Sequence, residues 1–357
     1  MQILILNWKD TAHPLAGGAE VYTEQVARAL VLRGHDVTLF AASVAGLPDR
    51  ETVDGVELVR RGGRLGVYRE ARRFWNEQPS GRFDVVVDEI NTRPFMTPRW
   101  VRGTPIVALI HQLAREIWFY ETPFPVSVLG RYVLEPWWLR AYRRVPAMTV
   151  SESSARSLVD LHGWRDVVVI PEGSSPHPVP TVAKEPVPAV VFLGRLVSMK
   201  RPDDALAAFG VLRHSYPEAR MWVIGDGPLE ERLRSTAPAG VSFFGRVDRD
   251  ELQERLARAH VLVATSIREG WGLNVSEAAA CGTPSIGYSV PGLVDSVSAS
   301  GGALVEPSPT ALGSALVDFF NGELHLEPSI STVSWSEVAA RIEQRLVGSR
   351  VVARRDV

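Results

Sequence analysis

Short apolar runs alternate with amphipathic stretches along the whole chain. Residues 2–6 form one such run and 36–40 the next. Between them Val21, Val26, Ala29, Leu30 and Leu32 recur at helical spacing as far as Gly34, a suitable C-terminal cap. Further strands are predicted over 56–60, 84–88, 105–110, 147–150 and 167–170, with helices around 69–75 and over 127–142 and 152–162. Residues 171–188 then carry six prolines without periodicity, which marks a linker. Beyond it the alternation resumes. Strands are predicted over 189–193, 220–224, 241–244, 261–264, 285–287 and 303–305, and helices over 202–214, 229–235, 250–257, 274–281 and 310–320. A last helix over 335–347 follows a loop and is expected to return to the first domain.

This alternation implies parallel sheets covered on both faces. The expected domains are 1–180 and 181–330, with 331–357 as a C-terminal helical segment. A length of 357 residues suits two domains, each with its own core. Right-handed crossovers put the strand-to-helix loops of each sheet on one edge, where α/β proteins bind ligands.

Composition narrows the classes. A formal net charge of −2 gives no general case for a nucleic-acid partner. Cys281 is the only cysteine, so an internal disulfide framework and a cysteine-based metal cluster are excluded. It lies in an alanine-rich run and reads as a small buried filler. The first apolar run reaches Asn7 too soon for a signal peptide, and no run approaches the ~18 apolar residues of a spanning helix. A cytoplasmic protein is expected.

The richest chemistry lies between the run 261–264 and the helix that follows it. Glu269 and Glu277 stand eight positions apart, with Gly270, Trp271, Gly272 and Leu273 between them. Such a loop opens onto a helix N-terminus, whose free N–H groups suit oxygen-rich or anionic ligands. The glycines let backbone approach a ligand closely. Topology puts three other loops on the same edge: Gly194-Arg195 with Lys200, Gly225-Asp226-Gly227-Pro228, and Gly245-Arg246-Val247. Arg195 and Lys200 suit a diphosphate. A helix N-terminus alone stabilises one exposed charge by roughly 0.3–1 kcal/mol, too little for a doubly charged leaving group. Fixed cations supply the rest, Arg as a bidentate fork and Lys as a point charge. Asp248-Arg249-Asp250 looks like a metal motif but sits at a predicted helix start, where an aspartate caps free N–H groups. No other spacing argues for a metal. In the first domain, His111 ends a strand at the ligand edge. Gly17-Gly18 precedes a helix without the three spaced glycines of a dinucleotide site.

Together these residues resemble the retaining glycosyltransferases of family 4. The resemblance rests on Gly17-Gly18-Ala19-Glu20, on His111, on Gly194-Arg195 with Lys200, on the paired glutamates Glu269 and Glu277, and on Ala280-Cys281-Gly282-Thr283-Pro284. It implies the GT-B architecture: two Rossmann-like doubly wound α/β domains facing across a cleft. It implies that Arg195 and Lys200 bind the donor diphosphate and that Glu269 faces the donor sugar. The Gly270–Leu273 backbone would bind sugar hydroxyls and phosphate, Glu277 the ribose, and the backbone around Val247 the base. Gly17 and Gly18 would approach the phosphates and the acceptor, and His111 the sugar. The implied reaction moves a hexose-type sugar from a UDP- or GDP-sugar to a hydroxyl acceptor with retention, without cofactor or metal. Another GT-B activity (epimerase or phosphorylase), a natural-product glycosyltransferase and a non-catalytic nucleotide-sugar binder remain open alternatives. A nicotinamide oxidoreductase fits the alternation but lacks the glycine fingerprint.

The acceptor is less legible. Between residues 58 and 144 there are 15 arginines against 8 Asp and Glu, interleaved with aromatics such as Trp118, Phe119, Tyr132 and Trp137. That mixture suits an anionic membrane surface or a lipid-linked acceptor at the inner face of the membrane. It equally suits ordinary helices that pack aromatic faces and solvate their arginines.

Overall fold

The computed structural model describes residues 1–173, 182–330 and 333–355, with side chains as far as Arg350. The centre of the proline-rich stretch, residues 174–181, lies outside the described residues, as does the expected domain boundary within it. The chain forms two compact units. The first comprises Met1–Arg115, Val128–Ser175 and Val333–Val357; the second comprises Glu116–Ser127 and Pro176–Thr332.

The first unit runs β1 (Gln2–Leu6), α1 (Gly18–Leu32), β2 (Asp36–Ala41), β3 (Arg50–Val53), β4 (Val56–Arg60), α2 (Val67–Glu77), β5 (Val85–Glu89) and β6 (Ile106–Ile110). The short helix α3 (Ile117–Glu121) falls in the second unit. Then come α4 (Val126–Leu129), a π-type turn (Gly130–Leu134), α5 (Glu135–Arg140), β7 (Ala147–Thr149), α6 (Glu152–His162) and β8 (Val167–Val169). These strands form one eight-stranded sheet in the order β3-β4-β2-β1-β5-β6-β7-β8. Only the β3–β4 pairing is antiparallel. The β3–β4 hairpin turns on Asp54-Gly55, both with positive φ, as a two-residue turn between twisted strands requires. Leu4, Leu6, Phe40, Val86 and Phe74 pack one side of the sheet, and Ala108, Ile110, Leu139 and Leu158 belong to a second cluster.

The second unit runs β9 (Ala189–Leu193), a 3-10 turn (Ser198–Lys200), α7 (Pro202–Ser215), β10 (Arg220–Ile224), α8 (Glu230–Thr236), β11 (Val241–Gly245), α9 (Arg249–Arg258) and β12 (Val261–Ala264). It continues with α10 (Leu273–Ala280), β13 (Ser285–Tyr288), α11 (Leu293–Ala299), β14 (Ala303–Val305) and α12 (Pro309–Phe320). Its six strands lie in the order β11-β10-β9-β12-β13-β14, all parallel. That is the doubly wound order, reversing between β9 and β12. Val191, Phe192, Phe209, Leu262 and Ile286 are among the residues of its single buried core. The long helix α13 (Trp335–Arg355) belongs to the first unit, where Trp335 meets the ring of Tyr22 edge-on at 5.6 Å and Arg33 pairs with Glu343 at 2.6 Å.

Four local features differ from the sequence expectation. The hairpin strand β3 and the short helices α3 and α11 are additional elements. The helix expected over 127–142 is instead α4, the π turn and α5 in succession. The extra residue of a π turn shifts the helical face partway along, so a single 3.6-residue period does not describe it.

Candidate functional site

In the second unit the winding reverses between β9 and β12, so the loops after these two strands border the crevice where such sheets bind ligands. The chain stitches those loops together. Thr265 Oγ1 donates to the carbonyls of Lys200 at 2.8 Å and Arg201 at 3.0 Å. The Ile267 N–H donates to Met199 O at 2.9 Å, and Asn274 Nδ2 donates to Leu193 O at 2.9 Å. The last bond ties the start of α10 to the end of β9. Gly272 caps α10 at φ 105°, a conformation that suits glycine. On the other side, a Cβ at Gly225 would lie 2.2 Å from Gly194 O, and the Gly225 N–H bonds Gly245 O at 2.7 Å. Glycine is therefore needed at 225 to let adjacent loops touch. The four loops expected on one edge are joined by these contacts.

At the centre Lys200 Nζ donates to Glu269 Oε1, and Ser266 Oγ donates to the same oxygen at 2.5 Å. Among the described residues nothing engages Glu269 Oε2. Glu269 is buried and Lys200 half-buried, so their attraction is less screened than that of an exposed pair. Arg195 is half-buried, and among the described residues no hydrogen bond or ion pair engages its guanidinium. Lys200 thus orients the carboxylate and Arg195 stands unengaged beside it, which puts two cations on this edge. The loop itself is braced: the Glu269 N–H donates to Pro291 O at 3.0 Å, Trp271 Nε1 to Ser276 Oγ at 2.9 Å, and Arg268 Nε to Glu116 Oε2 at 3.2 Å.

Glu277 lies just over one turn into α10 and is exposed. Desolvation by the surrounding protein pushes its carboxyl upward, a push its exposure limits, while Arg249 draws it back down. Val247 is half-buried against the core. Asp248 accepts from the Glu251 N–H at 2.9 Å and so caps α9. Cys281 is buried, and burial with the nearby Glu277 pushes its thiol up, away from thiolate chemistry.

The first unit gathers a different set at its own strand ends. His111, directly after β6, meets Glu89 Oε1 through Nε2 at 3.2 Å and the edge of Tyr22 at 5.0 Å. Glu89 Oε2 accepts from Thr23 Oγ1 at 2.5 Å. Glu20, in the first turn of α1, accepts the N–H of the N-cap residue Gly17 at 2.6 Å. Lys9 Nζ donates to the same carboxylate at 3.0 Å, and Asn91 Nδ2 links Glu20 Oε1 to Asn7 Oδ1. Burial raises the Glu20 carboxyl above the usual range; Lys9 opposes this and Glu89 adds to it. Gly17 has an extended backbone, and a Cβ there would meet only Glu20 Oε2, at 3.8 Å. Neither backbone nor packing demands glycine at 17, which leaves a ligand's approach as a reason for it.

Family profiles divide the chain between them: Glycosyltransferase Family 4 matches residues 16–176 and Glycosyl transferases group 1 matches 177–330. A D-inositol 3-phosphate glycosyltransferase of Acidothermus cellulolyticus is 30% identical over 334 residues, spanning 79% of this chain and 72% of its own length. The chain belongs to glycosyltransferase family 4. A glycogen synthase of Mycobacterium tuberculosis is 25% identical over 341 residues, covering 83% of this chain and 80% of that one. In fold, a sucrose-phosphate synthase of Thermosynechococcus elongatus superposes with a TM-score of 0.74 at 18% identity, over 99% of this chain and 97% of the other. Two parallel-sheet α/β units of the GT-B class therefore carry a glycosyltransferase activity.

Within this glycosyltransferase, Lys200, Glu269, Gly270, Trp271, Gly272, Leu273 and Glu277 fall on one continuous edge of the second unit, with Arg195 and Val247 on the loops stitched to it. Gly17, Gly18 and His111 fall on the strand-end edge of the first unit. Sequence reasoning did not single out Ser266, Asn274, Lys9, Glu89 or Asn91. Glu89 carried a signal: β5 ends on two buried carboxylates, Asp88 and Glu89, and a buried carboxylate is costly unless it is used or paired.

Proposed function

We propose that the protein is a retaining hexosyltransferase. It takes a UDP- or GDP-sugar as donor and a hydroxyl of a glycan, lipid-linked sugar or small molecule as acceptor. The observation that carries the donor reading is the Lys200–Glu269 pair beside an unengaged Arg195 where the winding reverses. Arg195 and Lys200 hold the diphosphate and offset the charge that grows as it departs. Glu269 Oε2 faces the sugar near its reacting carbon. The α10 N-terminus supplies N–H donors to sugar and phosphate oxygens, Glu277 accepts from the ribose hydroxyls, and the backbone at Val247 meets the base.

In the proposed reaction the acceptor hydroxyl attacks the anomeric carbon from the face that the diphosphate leaves. The bond from that carbon to the phosphate oxygen breaks and the bond to the acceptor oxygen forms. The acceptor's proton passes to the departing phosphate. Two side-chain cations already stand where a metal would otherwise neutralise the leaving group, so the reaction is proposed to be metal-independent. The first unit, with His111, Glu89 and Gly17-Gly18, is proposed to handle the acceptor.

The test is nucleoside diphosphate release from a panel of UDP- and GDP-hexoses in the presence of hydroxyl acceptors and a chelator. Acceptor-dependent release with an α-linked product from an α-linked donor is expected. Product of inverted configuration, or strict dependence on a divalent cation, contradicts the reading.

A further inference from the structure

The segment from Val128 to Trp137 in the first unit is built inside out, while Leu139 and Tyr142 beyond it return to the core. A surface helix normally buries its apolar stripe and shows its polar face to water. Here the buried positions include Gly130 and the carboxylate Glu135, which accepts the N–H groups of Ala114 at 2.8 Å and Arg115 at 2.9 Å. The outward positions are apolar: Val128, Leu129, Tyr132, Val133 and Trp137 are 40%, 47%, 63%, 53% and 50% exposed. The π turn maintains this arrangement. Its extra residue spaces the buried Gly130 and Glu135 five apart, while Leu129, Val133 and Trp137 stay four apart on the outer side.

Within this segment the outward charge has one sign. Arg140, Arg143 and Arg144 are exposed and Arg131 is half-buried, while Glu135, the one acid between 128 and 144, is turned inward. Arg131 lies over the Tyr132 ring at 5.1 Å and Arg99 over the Trp137 ring at 4.4 Å. His162 feels the same field: burial first, then Arg115, Arg131 and Arg143, push its pKa down to about 4. A two-fold contact between copies through this face would bring like charges together. An anionic bilayer instead takes the aromatic and aliphatic side chains into its interfacial layer and pairs its headgroups with the arginines.

We propose that this face docks the first unit on an anionic lipid surface. The proposal stands independently of the donor chemistry.

The test uses the full chain, equimolar phosphatidylglycerol–phosphatidylcholine vesicles and pure phosphatidylcholine vesicles. Co-sedimentation with the anionic vesicles at low salt is expected, falling about 10-fold or more in high salt or on phosphatidylcholine alone. The double substitution Leu129→Ser with Val133→Ser removes exposed apolar groups and should leave the melting temperature unchanged while reducing binding by about 10-fold. Absence of wild-type binding, equal binding to both vesicle types, or an unimpaired double variant overturns the proposal. A wild-type dimer that the double substitution dissociates, without vesicle binding, overturns it in favour of self-association.

Discussion

The two units wind alike and use their strand ends differently. Each has β-strands running outward from a reversal point, between β1 and β5 in the first unit and between β9 and β12 in the second. In the second, side chains bonded to backbone carbonyls stitch the loops, and the charges stand in separate pairs, Lys200 on Glu269 and Arg246 on Asp226, with Arg195 left unengaged among the described residues. In the first, charges crowd and lock one another, with Lys9 on Glu20, Glu89 on His111 and Thr23, and Asn91 between Glu20 and Asn7. Separate ion pairs with an unengaged arginine suit the diphosphate proposed for the second unit. A linked network around His111 and Gly17 suits the acceptor role proposed for the first. The same topology can thus carry different chemistry where the side chains at the strand ends differ.

This contrast makes the variants separable. Glu269→Gln should lower kcat by roughly 10²–10³-fold, the scale of a lost electrostatic partner of the reacting centre, while nucleotide affinity survives. Steady-state rates with calorimetry check both, and normal turnover would remove Glu269 from the reaction. His111→Ala should cost about 10²-fold in transfer with nucleotide binding unchanged, because it lies in the first unit. A loss of nucleotide affinity in that variant would erase the division of labour.

Smaller effects sharpen the second rim. Protonation of Glu277, whose carboxyl is pushed upward from its ordinary value of 4.5, would remove the acceptor proposed for the ribose. Nucleotide affinity should therefore fall as pH drops through that raised range, by at most about tenfold per pH unit. Glu277→Gln should flatten the profile. The linkage to stability has the opposite sense and is small for an exposed group: the folded chain is favoured below 4.5 and that contribution is lost as pH rises through the raised value. Smallest of all, Asp248→Ala should cost about 1 kcal/mol of stability through the α9 cap and leave transfer intact. Melting curves and rates together check this, and lost activity at unchanged stability would point to ligand chemistry instead.

The alternation of short apolar strands and helices made both sheets legible, because burial on both faces leaves uninterrupted Val, Ile and Leu runs such as β9 and β12. The rim was legible for the same reason: right-handed crossovers bring its loops to one edge whatever the details. The β3–β4 hairpin was signalled by Asp54-Gly55, but its first strand, Arg50–Val53, is too polar and too short to stand out. Two features had weaker signals. Burial of Glu20 and Glu89 depends on partners up to 71 positions away in sequence, such as Asn91 to Glu20. The inverted face of α4 to α5 follows a π turn, which breaks the period on which sequence reading relies.

The central assignment is that the second unit's edge holds a nucleoside diphosphate on Arg195 and Lys200. Calorimetric titration of UDP and GDP into the wild type and Arg195→Ala, at one fixed salt concentration, measures it directly. Saturable binding of one diphosphate, weakened about 10-fold or more in the variant, is the predicted result. Equal affinity in the two proteins, or no binding of either nucleotide to the wild type, contradicts it.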